Sequence, residues 1–114
     1  DEEQLDEALN NLISNALDAM PQGGRLTVRT TVIHSSSIQE IKGIEIEIED
    51  SGQGIPDELL PEIFKPGFST KKEGLGLGLA MTKKIIEAHG GRISVYSKAG
   101  IGTKFAIFLP WKQN

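Results

Sequence analysis

The segment Ile44-Glu45-Ile46-Glu47-Ile48-Glu49-Asp50 constrains this chain more than any other. Isoleucine and glutamate alternate with a period of two, the spacing that sends side chains to opposite faces of a β-strand. Such a strand has one apolar and one charged face, so its sheet must be covered on one side and wet on the other. Leu26, Val28, Thr30 and Val32 repeat the alternation upstream. Ile93, Val95 and Tyr96, then Phe105, Ile107 and Leu109, give two more strands, joined as a hairpin by Ala99-Gly100-Ile101-Gly102. The cover comes from two amphipathic helical patterns. Leu5, Leu9, Leu12, Ile13, Ala16, Leu17 and Met20 recur at spacings of three and four until Pro21, Gly23 and Gly24 end the run. Leu79, Met81, Ile85, Ile86 and Ala88 form the second, ended by Gly90 and Gly91. Pro56 with Asp57 and Glu58 suits the start of a short helix. This order predicts an α/β two-layer sandwich, with helices packed on one face of a mixed sheet.

Composition narrows the function. The 114 residues suit a single domain over residues 1–114, and 38% hydrophobic content is enough for a core. There is no cysteine, which removes disulfide scaffolds, thiolate-held zinc and thiol nucleophiles. A net charge of −4 and a pI near 5.1 disfavour duplex nucleic acid as a partner. No apolar run approaches the ~18 residues of a membrane span. The chain opens at Asp1 inside a helical pattern and is expected to be a piece of a longer protein.

Three segments have compositions that ordinary packing does not require. On the first helix, Asn11, Asn15 and Asp18 form a stripe expected opposite the apolar arc. A solvated face is one reading, yet asparagine is a poor helix former and such faces normally use Glu, Lys and Gln. Its amide oxygens also suit a hard cation such as Mg²⁺. The second segment is Asp50-Ser51-Gly52-Gln53-Gly54-Ile55-Pro56, an acidic strand end followed by two glycines. It reads either as a turn or as a carboxylate that accepts a hydrogen bond from an amino group, with bared backbone lying against a planar ring. The third is Gly74-Leu75-Gly76-Leu77-Gly78-Leu79, which opens the second helix behind Lys71 and Lys72. Three alternating glycines start a helix poorly, but they let backbone N–H groups approach an anion at its positive end. Residues 64–74 form a long loop of the kind that is usually functional. His34, His89 and Trp111 read as structural.

Together these segments resemble the catalytic ATP-binding domain of sensor histidine kinases, the GHKL or Bergerat fold shared with type II topoisomerase, mismatch-repair and chaperone ATPases. Asn11 to Asp18 is similar to the family's N box and Asp50 to Pro56 to its G1 box. Ile63-Phe64-Lys65-Pro66-Gly67-Phe68-Ser69-Thr70-Lys71 is similar to the F box, and Gly74 to Leu79 to the G2 box. The ending Gly102-Thr103-Lys104-Phe105 through Pro110 also matches. Gly67 departs from the bulky residue usual in relatives. The resemblance implies ATP and Mg²⁺ as cofactors. It implies that Asn15 binds Mg²⁺, with Asn11 as second ligand or phosphate contact and Asp18 beside them. Asp50 would accept the adenine amino group, with Thr103 assisting through water, and Gly52, Gly54 and Ile55 would shape the pocket. Phe64 through the G2 box would form a lid, with Lys71 or Lys72 near the terminal phosphates. Gly74, Leu75, Gly76, Leu77, Gly78 and Leu79 would hinge it and contact phosphate. Asn11, Asn15 and Lys71 would be the catalytic set.

Position 11 bears on the reaction. ATP-hydrolysing relatives carry glutamate there as general base, whereas the Asn11 amide takes no proton near neutral pH. Transfer of the γ-phosphate to a histidine is therefore expected. That histidine would lie in a separate dimerisation domain of the same protein, with a response-regulator receiver domain downstream. The alternatives are an ATPase or clamp module and a protein serine kinase of the anti-sigma type. The isolated domain is expected to be monomeric and cytoplasmic and to make no membrane contact.

Overall fold

The computed structural model describes residues 2–34, 41–66 and 78–110. Along the chain run α1 (Glu2–Asp18), β1 (Leu26–His34), β2 (Ile41–Asp50), a 3₁₀ segment (Asp57–Glu62), α2 (Gly78–Ala88), β3 (Arg92–Lys98) and β4 (Gly102–Pro110). Pro61 lies inside the 3₁₀ segment and Pro56 caps it. A proline without an N–H suits so short a piece of helix.

The strands lie in the order β1-β2-β4-β3, and each neighbouring pair is antiparallel. The two-layer sandwich is the one expected, but the described strands contain no parallel pair, where a mixed sheet was anticipated. The helical crossover does bring β3 back in the same direction as β2, as such connections do. The hairpin strand β4 then inserts between the two and bonds antiparallel to both.

The register stacks side chains into rows across the sheet. On the covered face, Val28, Ile48, Phe105 and Val95 form one row, and Thr30, Ile46, Ile107 and Ile93 the next. Ala8, Leu12 and Ala16, one turn apart on α1, pack with Ile85 and Ile86 of α2 against Ile48, Phe105 and Ile107. The open face carries the glutamates. Glu47 bridges Arg29 at 3.1 Å and Lys104 at 3.4 Å, both partly exposed pairs of small energetic weight. Val28 and Val32, 52% and 49% exposed, lie on edge strand β1 beyond the reach of the helices. Leu17, expected in the apolar arc, is 55% exposed. Five positions beyond Leu12, it is turned about 140° away from the buried line.

Residues 51–55 are wedged between the end of α1 and the β3–β4 turn. Ser51 N–H donates to the Arg25 carbonyl (3.1 Å) and Gln53 N–H to the Ala19 carbonyl (3.3 Å), while the Gln53 carbonyl accepts from Gly100 N–H (2.7 Å). Arg25 N–H donates to Ser51 Oγ (2.8 Å) and Ile55 N–H to Ser97 Oγ (2.8 Å). The glycines permit this. A Cβ on Gly52 would collide with the Ala19 carbonyl, and one on Gly54 with the Lys98 carbonyl. Gly54 also has φ +74°, a conformation that L-residues avoid.

Leu12→Ala is expected to cost about 2–5 kcal/mol, because it empties a fully enclosed site between two helices and the sheet. Urea denaturation measures it, and a loss below 1 kcal/mol would mean the core collapses around the gap. Gly54→Ala is expected to cost about 1–2 kcal/mol from the backbone conformation alone, plus displacement of the β3–β4 turn. The same titration, with amide shifts at residues 97–103, checks it.

Candidate functional site

One row of the covered face is polar. Leu26, Asp50, Thr103 and Ser97 stand in register across β1, β2, β4 and β3. The row lies at the end of the sheet, beyond the apolar rows. Asp50 and Thr103 are buried, at 7% and 6% exposure. Burying a carboxylate is costly unless hydrogen bonds hold it. Asp50 Oδ1 accepts from Gly52 N–H at 2.8 Å, and Oδ2 has no partner among the described residues. The Thr103 hydroxyl lies 2.8 Å from Ser97 Oγ. The row therefore presents a fixed carboxylate oxygen beside a hydroxyl.

The loop after Asp50 is less bare than its glycines suggested. Among the N–H groups from Ser51 to Ile55, Gly54's alone lacks a partner within the described residues. Gly52 and Gly54 are needed for close backbone packing. Ile55 is half-buried against the core.

Gln53 docks on Ala19, and α1 runs back from that point through Asn15 to Asn11, about 12 Å of helix at 1.5 Å per residue. Both asparagines are half-buried, while Asp18 is exposed at the helix end. The stripe thus flanks the buried line Ala8–Leu12–Ala16, not opposite it as expected, because Asn11 and Asn15 sit only about 60–100° from Leu12. A Cβ placed on Gly78, the first residue of α2, would stand 4.0 Å from Asn11 Cγ. The Asn11 amide has no hydrogen-bond partner among the described residues. It meets the helix end where backbone N–H groups lack intrahelical acceptors. Leu79 packs on the core in the same turn, and Thr82 Oγ1 donates to the Gly78 carbonyl at 2.6 Å.

Phe64 is a core anchor. Its ring meets Phe105 edge-on, with centroids 6.3 Å apart, and Lys83 Nζ lies 5.4 Å above it. Lys71, Lys72, Gly74, Leu75, Gly76 and Leu77 lie outside the described residues, as do Gly67, Phe68 and Trp111. His89 Nδ1 lies 2.7 Å from the Ile85 carbonyl at the end of α2, a structural placement. Among the described residues no helix is long and apolar enough to cross a membrane, and no three His, Cys, Asp or Glu side chains cluster as a metal site.

Ser97 was missed by sequence reasoning, although a signal existed. The alternation Ile93, Val95, Ser97 puts a hydroxyl at an inward position where an aliphatic side chain would continue the pattern.

Residues 1–113 match the family described as histidine kinase-, DNA gyrase B-, and HSP90-like ATPase. Sporulation kinase C of Bacillus subtilis is 39% identical over 100% of this chain and 25% of its own length. Sensor kinase CckA of Brucella abortus is 44% identical over 94% of this chain and 12% of its own. The chain thus spans a quarter or less of these two relatives. Among solved structures, the mycobacterial sensor histidine kinase MprB superposes with a TM-score of 0.82 at 33% identity, over 96% of this chain and 72% of that one. The nucleotide-free catalytic domain of histidine kinase ThkA gives 0.81 at 32% identity, over 96% and 68%. The chain belongs to the histidine kinase-, DNA gyrase B-, and HSP90-like ATPase family, and within it is homologous to the catalytic domains of sensor histidine kinases.

Proposed function

We propose that this chain is the Mg-ATP-binding catalytic domain of a sensor histidine kinase, delivering the γ-phosphate to a histidine on a separate dimerisation domain, for relay to a response-regulator receiver. The observation that carries the reading is Asp50, a buried carboxylate with one oxygen fixed by Gly52 N–H and the other without a partner among the described residues. In this reading Oδ2 accepts the adenine amino hydrogen, and Thr103 assists directly or through water. Gly54 and Ile55 line the ring. The nucleotide then extends along α1, past Asn15 and Asn11, toward the start of α2.

The donor set fits Mg²⁺ in one way only. Asn15 and Asn11 offer hard but neutral amide oxygens, and no carboxylate cluster accompanies them among the described residues. Asn15 and Asn11 would therefore hold Mg²⁺ only together with the phosphates of ATP, and the ion would supply neutralisation of their charge. By the family resemblance, Lys71 or Lys72 would add a cationic head, and Gly74, Leu75, Gly76, Leu77 and Gly78 would offer N–H groups to the phosphates. Phosphoryl transfer asks the protein mainly for positioning and electrostatics. Asn11 cannot accept a proton from water, so the site favours transfer over hydrolysis.

Calorimetry with Mg-ADP tests the site. Asp50→Asn is expected to weaken binding about 10- to 150-fold, since a charged acceptor is replaced by an amide that also presents donors. Unchanged affinity would move the base pocket elsewhere. Incubation with γ-labelled ATP tests the chemistry. The chain alone is expected to take up no label and to turn over well below one ATP per minute, against ~10 per second for a typical enzyme. A histidine-bearing helical domain added in trans should acquire an acid-labile, base-stable phosphate. Robust self-labelling would place the acceptor within this chain instead.

A further inference from the structure

Ser97 stands behind Thr103 in the polar row, and its hydroxyl sits at a junction of three contacts. Its oxygen lies 2.8 Å from Ile55 N, 2.9 Å from the Gly102 carbonyl oxygen and 2.8 Å from Thr103 Oγ1. An amide N–H only donates, a carbonyl only accepts, and a serine hydroxyl has one hydrogen and two lone pairs. If Ser97 gives its hydrogen to Gly102, its lone pairs accept from Ile55 N–H and from the Thr103 hydroxyl. All three contacts are then satisfied. If Ser97 instead donated to Thr103, its lone pairs would face the Gly102 carbonyl oxygen at 2.9 Å.

This fixes the polarity of Thr103. A free threonine hydroxyl rotates to donate or accept as its neighbour requires. Here its hydrogen is committed to Ser97, and lone pairs remain for a ligand. Asp50, the next residue in the row, is also an acceptor. We propose that Ser97 is a specificity-determining positioning residue. By holding Thr103 as an acceptor it makes the base end of the site favour a purine with an exocyclic amino group at C6 over one with an oxo group there. The inference rests on the ATP-binding reading above and adds the residue that sets base discrimination.

The test is the ratio of affinities for Mg-ADP and Mg-IDP, which differ at C6 (amino against oxo) and in consequence at N1 (bare nitrogen against N–H), measured by calorimetry on the chain and its variants. The unmodified chain should prefer ADP. Ser97→Ala should reduce that preference about tenfold, the worth of one hydrogen bond whose polarity is no longer enforced. Ser97→Thr, which keeps the hydroxyl, should retain the preference. Thr103→Val should lower it to a similar degree, and adding Ser97→Ala to Thr103→Val should change it no further. Thr103→Val keeps the proposal falsifiable if Ser97→Ala fails to fold. Equal weakening of both nucleotides by Ser97→Ala would make Ser97 a merely structural residue and overturn the proposal. So would an unchanged ratio in Thr103→Val. If the unmodified chain bound neither nucleotide, the ATP-binding reading itself would fail, and this inference with it.

Discussion

Residues 51–55 are bonded from two sides. Ala19 and Arg25, after α1, hold Ser51 and Gln53, and the hairpin end of β3 and β4 holds Gln53 and Ile55. The loop thereby couples the helical layer to the far edge of the sheet at the point where the buried carboxylate emerges. Asp50 cannot reorient without losing the Gly52 N–H, and Gly52 cannot move without leaving Ala19. A carboxylate shielded from water is useful as a recognition element only if its geometry is fixed in advance, because reorganising it on binding would consume affinity. The two glycines are the sequence's means of achieving that rigidity.

The other end of the site is chemically different. Along α1 it offers neutral amides where hydrolytic relatives place a carboxylate, and it abuts the amino end of α2. Neutral acceptors next to a helix dipole leave the attraction for polyphosphate undiminished by any negative side chain at position 11. The Asn11 amide itself cannot activate water. Both features suit the proposed role, in which ATP is held until a protein acceptor arrives.

Local patterns carried most of the architecture. The Ile/Glu alternation of β2 predicted one covered and one charged face, and the described rows have that arrangement. The glycine and proline punctuation placed the helix ends within a residue or two. What local pattern could not supply was relative placement. Leu17 satisfied a spacing rule but lies past the edge of the buried arc. The asparagines were read as opposite the core although a wheel of 100° per residue puts them on its flank. The insertion of β4 between β2 and β3 depends on long-range pairing that no short window contains. For the candidate site, Asp50 and Thr103 were legible through the resemblance to a known family. Ser97 was not, since its importance arises from contacts with residues 5, 6 and 42 positions away.

The position of β4 has a consequence for how the molecule comes into being. β4 is the last described strand, yet it is the only one that touches both β2 and β3. Until β4 pairs with β2, Asp50 lacks Thr103 beside it. Long-range pairings of this kind form late because they close large loops. On a translating ribosome, the helices and the β1–β2 pair can assemble first, but the row of Asp50 and Thr103 is completed only when the β3–β4 hairpin docks on β2. In the ATP-binding reading, ligand competence would therefore report that β4 has found its place beside β2.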